Sequence, residues 1–178
     1  MSNLKRFSAV RFAFFTFLIV FAFFAYGCSD GGEAPSKSAE SGAGKSAVKV
    51  EPPASTGDPA RDNFNHGVQL ALAGNFNDAI EAYKKSIKHN PESAAAHSNL
   101  GFAYFDIKDF DKAAEFQEAA LDINPDFANA YYGLAMALEK KGDIEGALEN
   151  WREYLRLGKP HSIWWNNAKG GIKRHTKQ

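Results

Sequence analysis

The chain of 178 residues has a single cysteine, Cys28, so no internal disulfide can form and no second thiol is present for a zinc knuckle. It has no Gly-x-Ser-x-Gly run, and none of its five histidines (His66, His89, His97, His161, His175) shares the spacing of a helical metal site with a neighbouring Glu. His66 and His97 read as interior or half-buried packing residues. Gly42-Ala43-Gly44-Lys45-Ser46 ends like a phosphate loop, but the first glycine of that motif is missing and no strand precedes it, so it reads as linker. Formal charge sums to zero. Residues 60–160 hold 11 basic against 16 acidic residues, and residues 161–178 hold 4 against none. A clustered basic face for nucleic acid is therefore missing from the body of the chain, and the tail is too short to supply one alone. No catalytic residue, metal site or cofactor is expected. The Asp and Glu residues read as a solvated face, and nothing selects a pair of them as catalytic carboxylates.

What the chain does have is a period. Displaced by 34 residues, Gly67 falls on Gly101, Ala79 on Ala113 and Ala147, and Pro91 on Pro125. Three units follow, 60–93, 94–127 and 128–161, and a fixed repeat of this length marks a stacked architecture rather than one irregular globule. In the middle unit Leu100, Gly101 and Tyr104 share one helical face, and Ala113, Phe116, Ala120 and Leu121 share another. Breaks at Gly74-Asn75, Lys108-Asp109 and Gly142-Asp143 separate the two runs of each unit, and Asn90-Pro91 and Asn124-Pro125 close the second run. Each unit is predicted to be a helical hairpin. Small residues at two slots, Gly67/Gly101/Ala135 and Ala79/Ala113/Ala147, allow its helices to approach closely.

The spacing of His97, Leu100, Gly101, Tyr104, Ala113, Ala120 and Pro125 resembles the tetratricopeptide repeat. Asn63 and His97 stand where that family has Trp, His66 where it has Leu, Gln117 where it has an aromatic residue, and Tyr154 where it has Ala, all without disturbing the register. The resemblance implies an all-α fold of three stacked hairpins. Beyond them, residues 162–178 are expected to form a capping helix and a basic tail. Ile163 to Ile172 would be that cap, Trp164 or Trp165 would pack on the third hairpin, and Gly170-Gly171 would end it.

The amino terminus reads as an address. Lys5, Arg6 and Arg11 precede an uncharged run of 15 residues, Phe12 to Tyr26, which holds seven of the fifteen Phe residues. As a helix it would span ~22 Å, short of the ~30 Å hydrocarbon core. Residues 1–27 are expected to be a signal peptide. Gly27-Cys28 resembles the lipidation box of bacterial lipoproteins, which implies an acylated Cys28, cleavage before it and a membrane anchor. The alternative is a free thiol at the end of an uncleaved anchor. In both cases the basic end stays cytoplasmic. Ser29, in place of Asp directly after the Cys, leans towards the outer membrane. Residues 28–59, rich in Gly, Ser, Ala, Pro, Lys and Glu, are expected to be a disordered tether.

For function, the family resemblance implies a protein-interaction scaffold whose first helices line the inner wall of a curved stack. Carried onto this sequence, the groove residues are Phe64, Val68, Asn99, Phe102, Phe105, Tyr132 and Met136. The family's charge clamp for a terminal carboxylate is matched only by Asn99. Phe64 and Val68 replace its Lys and Asn, and Asn129 and Gly133 replace its Lys and Arg. An apolar peptide or an amphipathic partner helix suits the stripe better. The expectation is a non-enzymatic scaffold of the bacterial cell envelope, facing the periplasm, with envelope proteins as partners and neither nucleic acid nor a small-molecule substrate. The alternatives are an accessory or regulatory subunit of an envelope enzyme, or a self-associating subunit of a pilus or secretion assembly.

Overall fold

The structure, a computed structural model, describes residues 49–176. The apolar run, Cys28 and the tether up to residue 48 lie outside the described residues. Those described are helical: α1 (Pro59–Leu72), α2 (Phe76–His89), α3 (Ala94–Asp106), α4 (Phe110–Ile123), α5 (Ala128–Lys141), α6 (Ile144–Leu157) and α7 (Ile163–His175). α1 pairs with α2, α3 with α4 and α5 with α6; α2 meets α3 and α4 meets α5, while α7 packs on α6. This is the expected all-α array of three stacked hairpins with a terminal cap.

Local chemistry sets the boundaries. The Asp58 carboxylate accepts from the amides of Ala60 and Arg61, and Pro59 opens α1 with a fixed φ and no amide proton to satisfy. Ser93, Asp109, Asp143 and Ser162 cap α3, α4, α6 and α7 in the same way, each at 3.0–3.2 Å. The hairpin turns fall at three positions 34 residues apart, Gly74 (φ 80°), Lys108 (φ 67°) and Gly142 (φ 87°). All three are left-handed. Glycine adopts that region freely, whereas Lys108 does so at a cost of roughly 1 kcal/mol. Asn90 and Asn124 are extended before their prolines, as the proline ring requires.

The small-residue slots behave as the period predicts. Ala79, Ala113 and Ala147 are at most 1% exposed. A Cβ on Gly67 would come within 2.6 Å of the Tyr83 ring, so the hairpin closes at that distance only because the side chain is missing. Tyr83, Gln117 and Trp151, again 34 apart, fill the complementary slot and are each 1–2% exposed.

Two expectations are corrected at the ends. The tether does not stay clear of the fold up to residue 59: Val50 packs against the first hairpin's core, and the His66 ring nitrogen Nε2 lies 3.5 Å from its carbonyl. Ser55 and Thr56 donate to Asp62, whose carboxyl they hold below the usual range. Nor do Gly170 and Gly171 end the cap; α7 continues to His175. A Cβ on Gly171 would sit 2.8 Å from Trp151 Nε1, so this glycine serves close packing rather than termination. The described residues thus carry a core of their own and a covering segment at each end, within one compact unit of the chain.

Candidate functional site

Among the first helices α1 contacts α3 and α3 contacts α5, so the three form one continuous face. Every expected groove residue lies on them, but the structure sorts those residues into two groups. Phe64, Val68, Asn99, Phe105 and Met136 are half-buried. Phe102 and Tyr132 are not open groove residues: they are 8% and 7% exposed and belong to the core cluster that α3 shares with the third hairpin. For Tyr132 the reason is aromatic packing. Tyr132 meets Trp151, Tyr154 and Trp164 edge to face at 5.0, 5.1 and 5.4 Å, and Asn167 bonds its hydroxyl. The cap helix therefore uses part of the stripe that the sequence offered as free surface.

The half-buried group keeps apolar surface at the boundary of the core. Phe64 tilts on Tyr83 at 5.9 Å and Phe105 on Phe110 at 5.3 Å, while Val68 of α1 and Met136 of α5 border the core. Leu72, at the end of α1, is 67% exposed. Asp106 ends α3 beside Phe105; the surrounding protein lifts its carboxyl to about 6 although its outer side meets solvent.

Gln117 explains the missing charge clamp. Its Oε1 accepts from Ser98 Oγ at 2.8 Å and its Nε2 donates to the Ser98 carbonyl at 3.0 Å, all in the interior. A Cβ on Gly101 would be 2.8 Å from that amide, and one on Gly133 would be 2.2 Å from it. The amide lies between α3 and α5, so Gly133 cannot carry the clamp's arginine while Gln117 fills the space. Sequence reading marked Gln117 as a departure from the pattern. What it missed was the Ser98 partner, because a serine on a helix carries no sign of the bond it makes 19 positions later.

Among the described residues no group of three or more His, Cys, Asp or Glu is placed to hold a metal, and no helix is long and apolar enough to cross a membrane. The face therefore offers apolar contact edged by hydrogen-bonding side chains.

Family models described as tetratricopeptide repeat match residues 70–128 and 108–149. The chain is 30% identical over 112 residues to the small glutamine-rich tetratricopeptide repeat-containing protein 2 of Mycosarcoma maydis, covering 59% of this chain and 32% of that one. It is 33% identical over 99 residues to the cytochrome c-type biogenesis protein CycH of Bradyrhizobium diazoefficiens, covering 53% and 27%. The chain thus spans about a third or less of the length of these relatives. Among solved structures, the first tetratricopeptide domain of Spaghetti bound to an HSP90 peptide aligns with a TM-score of 0.61 at 22% identity, over 65% of this chain and 89% of that one. The Sgt2 domain of Aspergillus fumigatus gives 0.61 at 23% over 65% and 77%. These two likenesses establish the fold. Repeat register, family models and neighbouring folds agree: residues 70–149 carry tetratricopeptide repeats, and the described array has the tetratricopeptide-repeat fold.

Proposed function

We propose that this protein is a non-enzymatic scaffold that holds an apolar segment of a partner protein on the face made by α1, α3 and α5. One observation carries the reading: Phe64, Val68, Phe105 and Met136 sit half-buried on adjoining first helices, in a fold whose solved neighbours hold peptides. The peptide on the Spaghetti domain, SRMEEVD, is acidic. The chain here has Gly133 and Asn129 where the family's clamp has cations, so its partner segment is an apolar peptide or the apolar side of a helix.

The same proposal places the protein in the bacterial cell envelope, anchored through an acylated Cys28 with the repeats facing the periplasm. The support is the basic, apolar and Gly27-Cys28 order of the amino terminus, and the similarity to a bacterial cytochrome c-type biogenesis protein. One preparation tests both halves. A photoreactive residue at Val68 or Met136, compared with one at the exposed Glu115 of α4, should yield a discrete adduct in native envelopes. Mass spectrometry of the same purified protein should find a lipid-modified Cys28 as its first residue. Equal crosslinking from all three positions would remove the face from consideration, and an intact Met1 would remove the acylated Cys28 anchor.

A further inference from the structure

The last layer of the array differs in charge from the layers before it. Residues 60–150 hold 8 basic and 15 acidic residues, while residues 151–178 hold 7 basic and 1 acidic. That single acid, Glu153, is spent within the layer on Arg156 at 2.7 Å. Arg174 turns inward to Glu139, but Arg152, Lys159, Lys169 and Lys173 are exposed and none is held in an ion pair among the described residues.

The exposed side of α7 adds an apolar component. Trp164, Ala168, Gly171 and Ile172 face the third hairpin, which leaves Lys169 and Lys173, one turn apart, on the opposite side. Ile163 flanks them at 69% exposure. Trp165 packs against the same core with its indole nitrogen buried, and the Lys169 ammonium lies over its ring, 4.7 Å from the centre. A large exposed aliphatic residue beside exposed lysines on one helix is what a layer of anionic headgroups over acyl chain accepts. The ammonium groups meet phosphate, and the Ile163 side chain enters the boundary below.

We propose that the α6–α7 end of the domain is a docking surface for an anionic lipid bilayer. The proposal is independent of the groove reading and of Cys28, and stands if either fails. It gives the acidic body of the array a defined direction, since residues 60–150 are repelled by the surface that attracts residues 151–178.

The test uses residues 49–178, which carry the described core and both covering segments but neither the apolar run nor Cys28. Co-sedimentation with phosphatidylglycerol-containing vesicles should be salt-sensitive and should be lost with phosphatidylcholine alone. The double variant Lys169→Glu, Lys173→Glu should bind the anionic vesicles at least ~10-fold more weakly, given the usual contribution of each surface cation. Ile163→Ala should weaken binding at high salt, where the apolar part dominates. Circular dichroism of both variants should match the parent, because all three positions are exposed. Failure to bind anionic vesicles would overturn the proposal. So would salt-sensitive sedimentation without vesicles, which would assign the basic end to the acidic body of a second copy. Binding to a nucleic-acid duplex as strong as to the vesicles would overturn it as well.

Discussion

Gln117 shows how one side chain decides what its neighbours can be. An aromatic ring in its slot would need no polar partner, but an interior amide must bond, and Ser98 provides both an acceptor and a donor. Gly133 follows from that choice. Replacing Gly133 with Ala would place a methyl group 2.2 Å from the present Nε2 position, forcing the amide off Ser98. The expected loss is about 1–3 kcal/mol, from overpacking and a disrupted interior hydrogen bond. Urea unfolding of Gly133→Ala should show it as a lower midpoint at an unchanged slope, and an unchanged midpoint would contradict the interior placement of Gln117. At this scale the sequence was only half legible. Period fixed which slot Gln117 occupies, but a hydrogen bond between two helices depends on side-chain reach, which no spacing rule contains.

At the scale of the element, α7 is the instructive case. Its existence and its start were legible from Ile163 and the Trp pair, and its end was not, because Gly170-Gly171 looks like a stop signal until Trp151 is seen against it. The helix is fastened near its end by Glu139 of α5, which accepts from Arg174 Nη2 at 2.9 Å and lies 2.9 Å from His175 Nε2. Burial alone would raise the Glu139 carboxyl, but His175 and Arg174 together hold it below its ordinary value. A depressed carboxylate contributes stability that is present above its unfolded value of 4.5 and is lost as pH falls through the lower folded value. Glu139→Gln should therefore loosen α7 at neutral pH by ~1 kcal/mol, discounted because Arg174 is more than half exposed. The difference from the parent should shrink below pH 4.5, where the parent loses the same contribution. Hydrogen exchange on the α7 amides, followed against pH, checks this. A gap that persists undiminished in acid would mean that Glu139 acts by packing alone.

For the whole molecule, the 34-residue period determines more than any single motif. It sets the hairpin turns at 74, 108 and 142, the alanine slots, the extended Asn-Pro closures and the stacking order. A one-dimensional stack is legible in sequence because each unit contacts only its neighbours, so local pattern and global fold coincide. The candidate site was less legible for the same reason. Phe102 and Tyr132 have groove register, but the cap helix at the end of the stack brings Trp164 onto Tyr132 and draws that end of the stripe inside. Phe105, in the middle of the array, escapes this. The central claim is that its face is kept for a partner rather than for packing, and the most direct measurement compares Phe105→Ala with Tyr104→Ala for both stability and affinity for the crosslinked partner. Tyr104, 6% exposed and stacked on Phe116 at 5.4 Å, should cost 3–5 kcal/mol of stability, the range usual for a core aromatic. Phe105→Ala should cost clearly less stability, yet weaken partner binding by ~2 kcal/mol or more. A Phe105 variant that unfolds as readily as the Tyr104 variant, or that binds the partner as tightly as the parent, would contradict the account.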